Sequence, residues 1–308
     1  MLEVSIMIEG QNGLNWDRWM RIAETVEDTG YAGLYRSDHF TNANPPHKDS
    51  LELWVSLTWL ASHTSRISFG PLVTPFSFRH PAFTARMAAA VDDLSKGRLI
   101  LGMGAGWQEL EHNTFGFDLL GISERFNRFE EGLEVVTALL NSEKPVDFSG
   151  QYYRLSSAIL LPRPQRPAGP PILIGGNGEK RTLPLAAKYA QEWNALFISP
   201  AEFSRLNDQL NTLIEGQGRK TSDVKRSMMT GCIFGETNSV VEQNTAARTQ
   251  GKFSPQQLRE RGRIVGTAAE IKEQLEHFSE TGLDSIMLQW IDLDDMDGIR
   301  TLADTLFS

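Results

Sequence analysis

A short apolar run, Ile172-Leu173-Ile174, passes directly into Gly175-Gly176-Asn177-Gly178 and then into Glu179-Lys180-Arg181. Pro170 and Pro171 end whatever precedes it, because proline donates no backbone N–H. The three apolar residues predict a strand buried on both faces. Three glycines and an asparagine tolerate positive φ. A helical run follows through Leu185, Ala186, Tyr189 and Ala190, and Pro184 places its regular start no earlier than about Arg181. Strand, glycine loop and helix N-terminus in that order aim backbone N–H groups into a concave nest, which suits a phosphate. The same residues also describe a tight βα turn whose glycines serve geometry alone, and both readings stand on spacing alone.

Other chemistry-bearing residues also follow predicted strands. Asp38 and His39 come after Ala32–Tyr35, and Thr74 and Pro75 after Ile67–Val73. Gly102-Met103-Gly104-Ala105-Gly106-Trp107 comes at the end of Arg98–Leu101, with Glu109, Glu111 and His112 close behind. The single cysteine, Cys232, excludes an internal disulfide and a Cys-rich metal site. It lies in an apolar run and reads as a small core residue. No metal is expected.

Alternating strands and helices must hold these residues in place. Val4–Ile8 is the first predicted strand. Asn15 caps a helix with Trp16, Trp19, Ala23 and Val26 on one face, closed at Gly30. A helix near Leu51–Ala61 precedes the third strand. The next begins at Pro81, presents Phe83, Met87, Ala90 and Leu94 as its buried face, and stops at Gly97. Phe126, Phe129, Leu133, Val136 and Leu140 step along a long helix after the fourth strand. The alternation then breaks, and Pro145 to Leu155 predicts a small hairpin about a Ser-Gly turn. Trp193–Ile198, Ser227–Phe234 and Ser285–Ile291 complete eight strands, separated by helices at Ala201–Glu215 and from the capping box Thr267-x-x-Glu270. Asp294–Leu306 is the last helix.

Eight βα units argue for one (β/α)₈ TIM barrel spanning 1–308, with an insertion at 145–170 and a lid-like segment at 237–263 after strand seven. A doubly wound sheet uses the same alternation and is the alternative. The glycine run at 102–106 does not favour it. Its third glycine is one residue early for the dinucleotide fingerprint, and no clear helix opens directly behind. In a barrel the C-terminal ends of the strands form the active face, where every candidate above would meet.

Hydrophobic residues make up 40% and charged residues 22%, as in a soluble globular protein. A net charge of −9 disfavours nucleic-acid binding and attachment to anionic membrane. No signal peptide or spanning helix is read from the sequence, so a cytoplasmic protein is expected.

Four stretches resemble the luciferase-like flavin-dependent oxidoreductases, and within them the branch that uses the deazaflavin coenzyme F420. They are Arg36-Ser37-Asp38-His39-Phe40, Leu72 to Pro81, Gly97 to Trp107 continuing to His112, and Ile172 to Arg181. The resemblance spans nearly the whole chain and implies the same barrel. It implies that Gly175, Gly176, Asn177, Gly178, Lys180 and Arg181 hold the cofactor phosphate. Asp38, Thr74 and Gly104-Ala105-Gly106 would border the ring, and a non-prolyl cis peptide at Pro71–Leu72 would press on its back. It gives His39 the catalytic role; from the residues alone His39 reads as a surface histidine ending a strand. Deazaflavin-dependent sugar-phosphate dehydrogenases have a glutamate where this chain has Trp107, and an aromatic residue is missing near Asn42-Ala43-Asn44. A sugar phosphate is therefore not the expected substrate. Of the nearby ionisable residues Glu109 is chosen as the second catalytic candidate.

The implied activity is hydride transfer between F420 and a small organic substrate, with His39 moving the proton. One alternative is an FMN-dependent monooxygenase using oxygen, and another is a barrel that binds flavin without turnover. The partners expected are a small-molecule substrate and a second copy in a homodimer. The stretch from Arg248 to Arg263 sets Arg248, Lys252, Arg259, Arg261 and Arg263 against Glu260 alone. It reads as a solvated loop or as a basic lid closing over an anionic cofactor tail.

Overall fold

The computed structural model describes residues 2–307. Its centre is a barrel of parallel strands: β1 (Glu3–Ile8), β2 (Gly33–Arg36), β3 (Ser68–Pro71), β4 (Leu101–Gly104), β5 (Ile172–Gly175), β6 (Glu192–Leu196), β7 (Lys225–Phe234) and β8 (Ser285–Gln289). Each pairs with its neighbours in sequence, and β8 returns to β1 through Val4 opposite Ile286 and Ile6 opposite Leu288. That cyclic order excludes the doubly wound sheet. The barrel closes through β3 in two pieces, Ser68–Pro71 pairing with β2 and Thr74–Pro75 with β4. The Ile100 N–H donates to the Phe69 carbonyl at 2.8 Å and the Phe76 N–H to the Gly104 carbonyl at 3.0 Å across this seam.

Strand periodicity sorts the core into two layers. Ile6 and Ile8 of β1, Ile172 and Ile174 of β5, and Ile286 and Leu288 of β8 face outward into the main apolar cluster beneath the helices. Met7, Leu173, Met229 and Met287 alternate with them and fill the barrel with Tyr35 and Leu72. Flexible methionines suit the irregular space where several strands converge. Cys232 is buried in the outer layer, as its sequence context predicts.

Between the strands run α1 (Trp16–Asp28), α2 (Leu53–His63), α3 (Pro81–Leu94), α4 (Glu109–Phe115), α5 (Ile122–Asn141), α6 (Thr182–Tyr189), α7 (Pro200–Gly216), α8 (Asn238–Thr249), α9 (Pro255–Glu260), α10 (Ala268–Glu280) and α11 (Met296–Leu306). Asn15 accepts from the Arg18 N–H at the start of α1, and Trp19 beneath it is fully buried. The hairpin is present as antiparallel Val146–Ser149 and Arg154–Ala158, held to α5 by the Glu131 carboxylate. Glu131 accepts from the backbone N–H groups of Gln151, Tyr152 and Tyr153 at 2.9, 2.8 and 2.5 Å.

Several sequence expectations are corrected. The buried face of α3 is Ala85, Ala88, Ala89 and Val91, while Phe83 and Leu94 are exposed. Small side chains let α3 lie close between α2 and α5, and hydrophobicity alone chose the opposite face. A helix, α4, does open behind the 102–106 glycine run, closed by left-handed Gly116. The 237–263 segment is mainly α8 and α9, packed against the short strand Ile264–Gly266 that pairs with the end of β7. Arg259 donates there to the Val265 carbonyl at 2.7 Å and to Glu270 at 2.9 Å. Arg248 donates to the Cys232 carbonyl, and Arg263 stacks 4.1 Å over the Phe197 ring. Arg259, Arg248 and Arg263 thus bind the segment to the barrel, while Arg261 lies over the Phe253 ring within the segment itself.

Candidate active site

A cavity of about 640 Å³ opens at the C-terminal ends of the strands. Glu9 and Gln11 after β1, Ser37, Asp38 and His39 after β2, and Leu72, Val73 and Pro75 along β3 line one part. Gly104, Ala105, Gly106 and Trp107 after β4, Gly175 and Gly176 after β5, and Leu196 and Phe197 after β6 line the rest. The residues singled out after separate strands therefore meet at one mouth, as a barrel requires.

His39 is the titratable group with the most telling surroundings. Its Nδ1 lies 2.8 Å from Glu111 Oε1, and the Phe40 N–H donates to Glu111 Oε2 at 3.0 Å. A carboxylate accepts only, so Nδ1 carries the hydrogen and donates it. Nε2 takes no hydrogen bond from the described residues. Gln108 Nε2 also lies 3.3 Å from His39 Nδ1, but it donates to the Thr41 carbonyl at 2.9 Å. Burial is the largest influence on the imidazole and lowers its pKa. The Glu111 hydrogen bond and charge, aided by Glu9 and Asp38, outweigh it and raise the pKa above the ordinary histidine value.

Glu109, the sequence choice for His39's companion, is exposed at the first position of α4 and lines no part of the cavity. Glu111, two residues on, points inward at 1% exposure. The helix phase decides between them. His112 is also buried, spanning the Gln108 carbonyl at 2.6 Å and Ser77 Oγ at 2.7 Å, which makes it a brace for α4.

Asp38 accepts from Thr74 Oγ1 at 2.8 Å and from Arg79 Nη1 at 2.5 Å, and Arg79 continues to Glu52 at 2.9 Å. Asp38 lines the cavity, whereas the Thr74 hydroxyl is committed behind it to Asp38 and Arg79. Behind both, fully buried Arg36 donates to Ser56 Oγ at 2.7 Å and the Leu51 carbonyl at 2.6 Å. Burial pulls its guanidinium pKa down to about 10. It ties the loop after β2 to α2. The non-prolyl cis peptide is Leu72–Val73, one residue beyond the Pro71–Leu72 expected. Leu72 and Val73 form cavity wall, and Pro71 does not.

The glycine loop has the form of a nest. Gly176 adopts φ +129°, its N–H donates to the Asn194 carbonyl at 2.9 Å, and its own carbonyl accepts from Trp193 Nε1 at 2.9 Å. Asn177 accepts from the Leu196 N–H at 2.9 Å and donates to the Leu196 carbonyl at 2.7 Å, so its side chain clamps the loop to β6. The backbone N–H groups from Gly178 to Thr182 take no hydrogen bond among the described residues. Asn177, Gly178, Lys180 and Arg181 line a groove of about 480 Å³ that shares Phe126 and Thr182 with the main cavity. Glu179 lines the same groove, its carboxylate paired with Arg205 at 2.8 Å. Arg181 bonds Asn127 at 2.6 Å and lies over the Phe126 ring, with no carboxylate partner among the described residues.

Sequence reasoning missed Glu9, Gln11, Arg125 and Asn194. Glu9 directly follows β1, so the strand-end rule could have found it. Its Oε1 accepts from Gln289 at 2.6 Å and its Oε2 from Gln11 at 2.9 Å. Arg125 arrives from α5, donates to the Gly106 carbonyl at 2.8 Å, and has no local sequence signal. Asn194, fully buried on β6, lines the cavity, and its Oδ1 has no partner among the described residues. Free N–H groups, adjoining cations and a buried acceptor suit a ligand that carries an anionic group and a hydrogen-bond donor.

A family model for luciferase-like monooxygenases matches residues 3–277. Over 285 residues the chain is 28% identical to the F420-dependent glucose-6-phosphate dehydrogenase of Amycolatopsis mediterranei (strain U-32), covering 89% of this chain and 80% of that protein. The structure superposes on an F420-dependent secondary alcohol dehydrogenase in complex with an F420-acetone adduct with a TM-score of 0.86 at 19% identity, covering 100% and 99% of the two chains. It matches EDTA monooxygenase from Chelativorans sp. BNC1 with a TM-score of 0.82 at 17% identity, covering 99% and 92%. At these identities the two structures speak for the fold.

Proposed function

The chain belongs to the luciferase-like monooxygenase family, and from that membership and the site we propose an oxidoreductase that transfers a hydride between coenzyme F420 and a small organic substrate. The observation that carries this reading is a cavity that adjoins a groove through Phe126 and Thr182. The His39–Glu111 pair lines the cavity, and an unpaired backbone nest with Lys180 and Arg181 lies along the groove. The Gly178–Thr182 N–H groups would hold the phosphate, and the groove beyond would take the anionic tail against the two cations. Leu72 and Val73 would support the ring, and Asn194 Oδ1 would accept from a ring N–H. The bound deazaflavin supplies a two-electron hydride acceptor or donor.

The protein's own chemistry is proton management. Glu111 fixes Nδ1 as the protonated nitrogen and leaves Nε2 to take or give the substrate proton. Asp38, Thr74 and Arg79 hold the ends of β2 and β3 together and so fix the loop that carries the histidine. A barrel that only binds flavin has no use for this pair. His39→Ala should leave F420 affinity within a few-fold and lower turnover by about 10²–10⁴. Titrating the protein separately with F420 and FMN tests the cofactor. Tighter FMN binding with substrate-dependent oxygen uptake would replace this reading with the monooxygenase.

A homodimer fits α2 and α3, which pack together and leave Val55 and Phe83 exposed. Phe83→Asp should then yield monomers by light scattering; dimers in that variant would remove this surface. With a net charge of −9, neither nucleic acid nor membrane enters the reading. Among the described residues no helix is long and apolar enough to cross a membrane.

A further inference from the structure

The cavity wall contains one residue in a strained backbone conformation. Six non-glycine residues among those described have a positive φ, and of these only Phe197, at φ +53°, lines the cavity. A bulky aromatic residue leaves that region unless its surroundings hold it there, and such residues concentrate at functional sites.

The hydrogen bonds that hold Phe197 come from β7 and the segment behind it. The Phe197 N–H donates to the Met229 carbonyl at 3.0 Å. Its carbonyl accepts from Arg263 Nη1 at 3.3 Å, and the Arg263 guanidinium lies 4.1 Å from the centre of the Phe197 ring. Beside Arg263, left-handed Gly262 touches the residue after Phe197: a Cβ there would lie 2.0 Å from the Ile198 carbonyl oxygen. The Gly262 carbonyl accepts from the buried Thr230 hydroxyl at 2.6 Å, which fixes the segment to β7. One arginine therefore grips both the backbone and the ring of the strained residue.

Arg263 itself does not line the cavity. Its hydrogen bonds go to the carbonyls of Phe197 and, at 3.2 Å, Arg261, and it has no carboxylate partner among the described residues. Burial, with the charge of Arg261 added, lowers its pKa. A desolvated guanidinium is the kind of cation that gains most from an aromatic face. The Phe197 ring packs in turn on the inner apolar cluster that contains Leu72 and Met229.

Resting on the deazaflavin reading above, we propose that Arg263 is a positioning residue that acts through Phe197, fixing the ring as part of the wall against which the cofactor binds. Cofactor affinity then depends on a contact made outside the cavity. Without the guanidinium the Phe197 backbone relaxes out of the left-handed region and the ring leaves its place. Only the fraction of molecules with the wall intact then binds F420 well.

The test is a double-mutant cycle on affinity for oxidised F420, read by cofactor fluorescence, with Arg263→Gln, Phe197→Gly and the two combined. Glycine accepts φ +53° without strain and has no ring to hold. Arg263→Gln should weaken F420 binding about threefold to tenfold, but less than about twofold in the Phe197→Gly background. Arg263→Lys, which keeps the charge and loses the planar stack, should not rescue; as the milder change it carries the test if the glutamine variant fails to fold. An equal loss in both backgrounds would make Arg263 a general support of the fold, and full rescue by lysine would assign the effect to charge; either overturns the proposal. A second measurement needs no cofactor. With 4-fluorophenylalanine at position 197, the parent should give one narrow fluorine NMR signal, and Arg263→Gln should shift it and broaden or double it. An unchanged signal would show that Arg263 does not hold the ring. Failure of the parent to bind F420 would sink the hydride-transfer reading, and the fluorine signal would still decide whether the clamp exists.

Discussion

At the scale of single residues the site turns on which group holds His39. The Glu111 hydrogen bond raises the imidazole pKa against the opposing effect of burial. With His39 as the proposed base, substrate oxidation needs it neutral, so kcat/KM should rise with pH through a pKa above the ordinary histidine value. Reduction needs the imidazolium and should fall through the same pKa. Glu111→Gln removes the charge and leaves the burial, so both limbs should move to lower pH with reduced turnover. Limbs that stay in place would assign the titration to another group. Gly176 supports a second prediction. Its φ of +129° is one that L side chains rarely adopt, and an added Cβ would lie 3.3 Å from the Thr182 methyl. Gly176→Val should weaken F420 binding at least about tenfold while circular dichroism stays that of the parent.

At the scale of elements, the glycine loop and α6 should carry the electrostatics of cofactor binding. Lys180 and Arg181 line the groove beyond the nest, so neutralising both should flatten the salt dependence of F420 affinity, with FMN affected less. An unchanged salt slope would place the tail elsewhere. The basic segment after β7 has a different job: Arg259 joins α9 to Val265 and Glu270. Arg259→Ala should lower the melting temperature and leave the F420 salt slope intact. The composition of that stretch was legible in the sequence, but the pairing of Arg259 with Glu270 belongs to the packing of α9 against α10. The case of α4 is similar. Glu109, Glu111 and His112 were all visible as candidates, and only the docked phase of the helix turns Glu111 inward and Glu109 out.

At the scale of the molecule, the demanding point is barrel closure between β3 and β4. A Cβ on Gly70 would lie 2.0 Å from the Ile100 carbonyl oxygen, which is backbone and cannot turn aside. Gly70→Ala should therefore cost about 1–3 kcal/mol or more, read as a lower urea midpoint. An unchanged midpoint would mean that the seam adjusts freely.

What the sequence determined by itself was whatever local chain physics writes down. Strand and helix periods gave eight βα units, Gly175 to Gly178 marked the nest, and strand ends placed Asp38, His39 and Gly104 at one mouth. Tertiary structure decided what depends on approach between distant segments. Alanines rather than Phe83 face inward on α3 because α2 and α5 leave room only for small side chains. Glu111 reaches His39 across 72 residues, and Arg125 enters the cavity from α5 to meet the Gly106 carbonyl. The cis peptide sits at Leu72–Val73, where the two pieces of β3 meet. Period and turn chemistry are properties of a few neighbouring residues, whereas helix phase, strand seam and ion-pair partner are settled only when the barrel closes.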